Sequence, residues 1–485
     1  MNSNSILRLG ALKQVSQFQE YVKSRQLTIP CDKELLTGSE SPLRAPIQCG
    51  VLKIGNRIAV QPMEGWDGTS DGNPTESTLR RWRNFGRSGG KLIWGGEAVA
   101  VTEEGRANPN QLLIAAHTEK GLGALRTALI AEHRLTTGSD DGLLIGLQLT
   151  HSGRFSRPHR YDRAEPRIAY HNPILDKRVG LSGESALLSD SEIDSIIDKF
   201  CAAGARAQKL GFDFVDIKHC HGYLGHELLG AQTREGRYGG NFENRTRFLR
   251  NLVAGIRASA PGLEIGVRIS AFDMIPFRTD HAPDGGRGPG VPESFEDMLP
   301  YRFGFGINPS NPLEIDLSET FELLSLLERL GILLVNVTGG SPYYNPHIQR
   351  PALYPPSDGY APPEDPLVGV ARQMEVTRCL KQKFLNLIFV GSAYSYLQEF
   401  LPNVAQAAVS AGWVDSVGLG RMVLTYPELL WDATAGRPID RRRICRTFSD
   451  CTSAPRNGLP SGCYPLDSYY RESEAATVLK KAKKK

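Results

Sequence analysis

Eight short apolar runs, at residues 58–61, 91–94, 143–149, 212–217, 264–269, 332–337, 386–390 and 415–419, constrain this chain more than any other feature. Most are continuous Val/Ile/Leu/Phe stretches and do not alternate with polar residues. Strands buried on both faces of an all-parallel sheet have this pattern. Helices are expected between them. One spans 75–88, after Pro74. Another spans 189–210, where Ser189 and Glu192 can form a capping box. The others span 241–260, 318–330, 367–384 and 396–411. Strands alternating with helices in this number predict an α/β fold, a (β/α)8 TIM barrel.

Residues 1–48 read as a helical or irregular N-terminal extension, 49–440 as the barrel and 441–485 as a short C-terminal tail. Two long insertions follow the fifth and sixth strands, at about 271–316 and 341–366. The first contains Asp284-Gly-Gly-Arg-Gly-Pro-Gly290, whose glycines and proline break regular structure, so a flexible flap is expected. The second holds eight prolines and four tyrosines. A barrel of this class builds its site on the loops at the C-terminal ends of its strands, so both insertions belong on the active-site face.

Composition narrows the function classes. With 40% hydrophobic and 23% charged residues, the chain has material for a large core. Its 57 basic and 53 acidic residues leave +4, too balanced for a nucleic-acid surface. The basic run from Lys480 reads as a solvated tail. Eight cysteines spread thinly over 485 residues suggest reduced thiols. No apolar run reaches the ~18 residues needed to cross a bilayer, and the polar N-terminus lacks a signal-peptide core. The expectation is a cytoplasmic enzyme with a small-molecule substrate and neither nucleic-acid nor membrane partner; self-association into a homo-oligomer stays open.

The fourth run ends in the densest set of titratable residues: Lys218-His219-Cys220-His221-Gly222-Tyr223-Leu224. Arg234, Tyr238-Gly239-Gly240, Glu243-Asn244-Arg245, Arg247 and Phe248 follow at fixed spacing. This stretch resembles the signature of the Old Yellow Enzyme / NADH:flavin oxidoreductase family, in particular its 2,4-dienoyl-CoA reductase-like branch. The resemblance implies FMN on a TIM barrel, with NADH or NADPH as electron donor, and spans about residues 45–470.

It also implies where the flavin is held. The first strand ends in Gln61-Pro62-Met63-Glu64, similar to a turn that packs on the flavin ring. After the second strand, the backbone near Ala98 would meet the pyrimidine side. Gln148, in Gln148-Leu149-Thr150-His151, offers a donor and an acceptor to the ring's N3–H and carbonyls. Arg268 would sit near N1 and O2, where reduction places negative charge. Gly391-Ser392 and Gly420-Arg421 follow the last two strands, the usual anion site of this fold, and would grip the phosphate.

The chemistry implied is hydride transfer to an alkene conjugated to a carbonyl. Two side chains hold the carbonyl oxygen and a tyrosine protonates the adjacent carbon. Tyr223 matches the tyrosine and His221 the second oxygen-holding position. The first, usually His, is Lys218 here. Glu64 stands where the family has Thr or Cys, and is expected to have a raised pKa or to pair with a cation such as Lys218. A metal site at His219-Cys220-His221 is disfavoured, because strand alternation sets Cys220 opposite both histidines.

The tail carries Cys445, Cys451 and Cys463. The last spacing agrees with the iron–sulfur pattern of the dienoyl-CoA reductase branch. Phe448 falls where that pattern needs a further cysteine, so the tail reads as related to that branch but without the cluster. Two other readings stay open. One is an FMN-dependent dehydrogenase or demethylase on the same barrel. The other is a barrel hydrolase using Glu64 and Glu97 as paired carboxylates. A flavin-binding module without redox turnover is a further option.

Overall fold

The computed structural model describes residues 6–281 and 287–483. All eight expected strands form: β1 (Ile58–Val60), β2 (Leu92–Ile93), β3 (Leu144–Thr150), β4 (Phe214–His219), β5 (Glu264–Ser270), β6 (Leu334–Thr338), β7 (Ile388–Gly391) and β8 (Ser416–Leu419). Each pairs in parallel with its neighbours in chain order, and β8 closes on β1. The closed cylinder leaves no free edge, and every residue of β3 and β4 is buried. A helix follows each strand: α1 (Glu76–Arg87), α2 (Glu119–Thr137), α3 (Asp190–Lys209), α4 (Arg247–Ser259), α5 (Ser318–Arg329), α6 (Pro366–Lys383), α7 (Leu401–Ser410) and α8 (Leu429–Thr434). Ser189 caps α3 through a capping box with Glu192.

Some expectations are corrected. The stretch 241–260 is split at Thr246, with Phe242–Arg245 a separate turn before α4. The stretch 396–411 is broken too. Gln398 leaves helical geometry, at φ 53°, and α7 starts only at Leu401. Pro402 explains this, since proline fits the first turn of a helix but not its interior. A short strand at Ala98–Ala100 extends the sheet beside β3, because β2 itself is only two residues long.

The insertion after β5 is not irregular. Phe277–His281 and Arg287–Pro292 pair as an antiparallel hairpin. Its tip, including Asp284-Gly285-Gly286, lies outside the described residues. The hairpin is hydrogen-bonded to the insertion after β6: Gly290 N–H donates to the Ala361 carbonyl (3.0 Å), and Ala361 N–H to the Gly288 carbonyl (3.0 Å).

Two other segments lie against the barrel. The N-terminal extension docks the helix Val15–Ser24 beside α7, with Phe18 stacked on Phe400 at 4.6 Å. It ends in a hairpin, Ile47–Cys49 with Leu52–Ile54, that was not foreseen. Ile47 and Ile54 join Trp94, Phe214 and Leu334 in an apolar cluster. The tail folds as short helices tied to the second insertion by Tyr354–Phe448 stacking (5.4 Å) and by Ser357 N–H donating to Ser453 (2.9 Å). Among the described residues no helix is long and apolar enough to cross a membrane.

Within that cluster, Trp94 and Phe214 meet edge to face at 5.5 Å. Gly146 makes room for them, since a Cβ there would lie 2.3 Å from the Phe214 ring. Gly146→Ala is therefore expected to overpack the barrel and to cost roughly 1–3 kcal/mol of stability. Thermal or urea unfolding checks this, and adding Phe214→Leu should recover most of the loss.

Candidate active site

A cleft opens at the C-terminal mouth of the barrel, and strand ends, the second insertion and the tail all contribute to it. Gln61, Pro62, Met63 and Glu64 enter from β1, Gln148 from β3 and Arg268 from β5. Lys218, His221 and Tyr223 enter from the end of β4, and Ser392, Gly420 and Arg421 from the ends of β7 and β8. Of the residues expected to hold the flavin or act on the substrate, Ala98 and Gly391 do not line it. Ala98 is buried in the strand beside β3, its carbonyl accepting from the Gln111 amide (2.9 Å). Gly391 lies just behind Ser392, its carbonyl accepting from the Gln61 amide (3.0 Å).

Glu64 is the centre of the polar network. One of its oxygens takes an ion pair from Lys218. The other accepts from the Trp66 indole (2.8 Å) and the Tyr223 hydroxyl (2.8 Å). This bears out the expected pairing of Glu64 with Lys218. The Lys218 ammonium lies 3.9 Å from the Tyr223 ring centre, a cation–π contact. Tyr223 spends its proton on Glu64, so its contact with the Tyr343 hydroxyl (2.7 Å) is one it accepts. Tyr343 in turn stacks on Phe155 at 4.1 Å. Burial, then the Glu64 charge, holds the Tyr223 phenol well above its ordinary range, so it is neutral. His221 is pushed well below its usual value by burial and by Arg268 and Lys218, so its imidazole is neutral too. Its Nε2 faces the Gln349 amide at 3.0 Å.

The floor is a second network. Gln148 donates to buried Asp216, whose other oxygen accepts the Arg268 backbone N–H (2.7 Å). Burial raises the Asp216 carboxyl to about 6, opposed by Gln148 and Arg268. The Arg268 Nε is buried without a partner, an open donor on the floor. Gln61 links β1 to β6 and β7, accepting from Asn336 (2.7 Å) and donating to the Ser392 hydroxyl (3.1 Å). A Cβ at Gly418 would come within 2.4 Å of the Gly391 backbone carbonyl, so only glycine fits there. Trp66, His221 and Ala393, all lining the cleft, sit at φ 49°, 68° and 73°. Left-handed backbone in non-glycine residues is strained and collects at functional sites.

At the far end, Arg421 has a buried Nη1 without a partner, and Gly420 faces open space. Arg350, from the second insertion, lines the same end. Open donors on the floor, an adaptable amide beside them and guanidinium groups at one end fit a planar heterocycle carrying a phosphate.

The sequence profile of the family described as "NADH:flavin oxidoreductase / NADH oxidase family" matches residues 42–284. The chain belongs to this family. It is 29% identical over 246 residues to putative 12-oxophytodienoate reductase 4 of Oryza sativa subsp. japonica, covering 50% of this chain and 62% of that protein. Over 439 residues it is 25% identical to the metal reductase of Desulforamulus reducens, covering 90% of this chain and 55% of that protein. The chain thus spans roughly three-fifths of these relatives or less. Among solved structures, it aligns with a 2-naphthoyl-CoA reductase complex at TM-score 0.63 and 17% identity, over 89% of this chain and 58% of that one. With an Old Yellow Enzyme homologue from Zymomonas mobilis the values are 0.54 and 21%, over 82% and 94%. These likenesses confirm the barrel fold.

In this NADH:flavin oxidoreductase family member, Trp66, Tyr343, Gln349, Arg350, Thr452 and Arg456 also line the cleft, and sequence reasoning did not single them out. All but Trp66 lie in the second insertion or the tail, whose placement strand and helix periodicity does not report. Cys445, Cys451 and Cys463 gather around a small cavity beside Arg421 and Phe448. No three His, Cys, Asp or Glu among the described residues are placed to hold a metal ion. Glu97 does not pair with Glu64 across the cleft, as the hydrolase reading needs. It is buried against Arg81 (2.6 Å), which also grips Asp67.

One guanidinium thus serves two carboxylates. Burial and the Asp67 charge, against the pull of Arg81, raise the Glu97 carboxyl from 4.5 to about 7. The folded chain then keeps a proton that the unfolded chain loses, so stability from this group is present below pH ~4.5 and falls as pH rises to ~7. Glu97→Gln is expected to flatten that slope. Unfolding midpoints measured between pH 4.5 and 7.5 test it.

Proposed function

We propose that the chain is an FMN-dependent NAD(P)H oxidoreductase that reduces a C=C bond conjugated to a carbonyl. The observation that carries this is the neutral Tyr223 phenol, held at the cleft between Glu64 and Tyr343, above a floor with Gln148 and the open donor of Arg268. Bound FMN would supply the hydride chemistry between NADH or NADPH and the β-carbon of the alkene. Pro62, Met63 and Glu64 would hold the ring, with Gln148 at its polar edge and Arg268 offsetting the negative charge that reduction brings. Ser392, Gly420 and Arg421 would hold the phosphate.

The remaining steps belong to side chains. His221, neutral, donates a hydrogen bond to the substrate carbonyl oxygen. Lys218 adds a charge-assisted one, but the oxygen must share that ammonium with Glu64. Tyr223 turns its hydroxyl from Glu64 to give its proton to the α-carbon, and Tyr343 stands behind it as the next hydroxyl in line. The second insertion and the tail supply part of the wall around them. Glu64 also favours a second reading, oxidation of a substrate on the same barrel. A carboxylate accepting the phenol proton makes Tyr223 a base relay as readily as an acid.

Purified protein is expected to be yellow and to bleach with NADH or NADPH under anaerobic conditions. Tyr223→Phe should slow alkene reduction by roughly a hundredfold or more while leaving flavin reduction unchanged. Stopped-flow traces of the two half-reactions separate these, and equal slowing of both would contradict the role given to Tyr223. Because His221 is neutral in the fold, the pH profile of alkene reduction should lack a step near pH ~6.5; such a step, if abolished in His221→Asn, would contradict it.

A further inference from the structure

The charges lining the cleft do not balance. Lys218, Arg268, Arg350, Arg421 and Arg456 face a single carboxylate, Glu64. Lys218 is matched by Glu64 and Arg456 by Asp358. Arg268, Arg350 and Arg421 have no carboxylate in ion-pair range among the described residues. Arg268 lies on the floor; the other two share one end. The Arg421 Nη2 donates to the Pro351 carbonyl (2.8 Å), the residue directly after Arg350, while its Nη1 is buried and open. Arg350 bonds only to neutral groups, the hydroxyls of Thr452 and Ser449 (3.1 Å). Burial, and then the Arg421 charge, lower its pKa to about 9.

Holding two like charges side by side, partly stripped of water and without counter-charge, is costly unless a ligand supplies that charge. The ligand must bring about two negative charges to one spot. A carboxylate brings one. A phosphate monoester brings nearly two, with oxygens spaced for two guanidinium forks. We infer that Arg350 is a second phosphate ligand, which with Arg421 forms a two-guanidinium grip for the FMN phosphate. This rests on the flavin reading above and extends it to a residue outside the matched family region.

The grip is assembled from three parts of the chain. Arg421 follows β8, Arg350 belongs to the second insertion, and the tail braces Arg350 through Thr452 and Ser449. Ser449 is itself fixed, donating to the Tyr354 carbonyl (2.6 Å). The tail is therefore a positioning element for the phosphate site, acting through Arg350.

The test compares FMN with riboflavin, the same ring without the phosphate, by quenching of flavin fluorescence on titration into flavin-free protein. Wild type should bind FMN far more tightly than riboflavin. Arg350→Met should weaken FMN by roughly tenfold or more and leave riboflavin within about twofold, collapsing the preference. Thr452→Val with Ser449→Ala should weaken FMN alone, by less. Should Arg350→Met be poorly folded, Arg350→Lys keeps the charge but not the fork and should show an intermediate preference. If the FMN preference stays at its wild-type size in Arg350→Met or in Arg350→Lys, or both flavins weaken together, Arg350 is a structural brace and the inference fails. If wild type binds neither flavin, the cofactor reading itself falls.

Discussion

The Glu64 carboxylate is the contact on which the cleft depends. It enters where a strand of the barrel ends, and it draws an ammonium, an indole and a phenol onto two oxygens. Three elements meet there: the turn after β1, the end of β4 and, through Tyr343, the insertion after β6. Without a carboxylate, Lys218 would be an unpaired buried cation 3.9 Å from the Tyr223 ring, and such groups are costly. Two departures from the family pattern, Lys218 and Glu64, are thus one change. Each residue makes the other tolerable, and together they add no net charge beside the phenol.

The barrel was legible from the amino-acid order because its strands are buried on both faces and so are written as unbroken apolar runs. Boundaries slipped by up to two residues, as at β4, since hydrogen bonding and not hydrophobicity decides where a strand stops. The site was legible where a residue is tied to a strand end, as Gln148, Lys218, Arg268 and Arg421 are. It was not legible where a residue arrives on an irregular segment. Tyr343 and Arg350 reach the cleft through a proline-rich stretch without periodicity. Thr452 and Arg456 reach it from a tail whose docking depends on distant contacts. The hairpin of the first insertion was missed for a related reason. Its glycines signal broken structure, yet backbone pairing tolerates them when another segment hydrogen-bonds alongside.

The pairing of Glu97 shows how far carboxylate counting can mislead. Two acids at the ends of adjacent strands invite a hydrolytic reading, but a guanidinium on α1 turns one of them away from the mouth. Arg81 also donates to the Ser461 carbonyl (3.2 Å). The same side chain that removes Glu97 from chemistry thereby helps seat the tail.

The ladder between the two insertions has a mechanical meaning. Ala361 is bonded to both Gly288 and Gly290, so the loops after β5 and β6 share one backbone seam, and the second of them carries Tyr343 and Arg350 to the cleft. A lesion at that seam would therefore loosen the segment that delivers those two side chains, without touching a reacting atom.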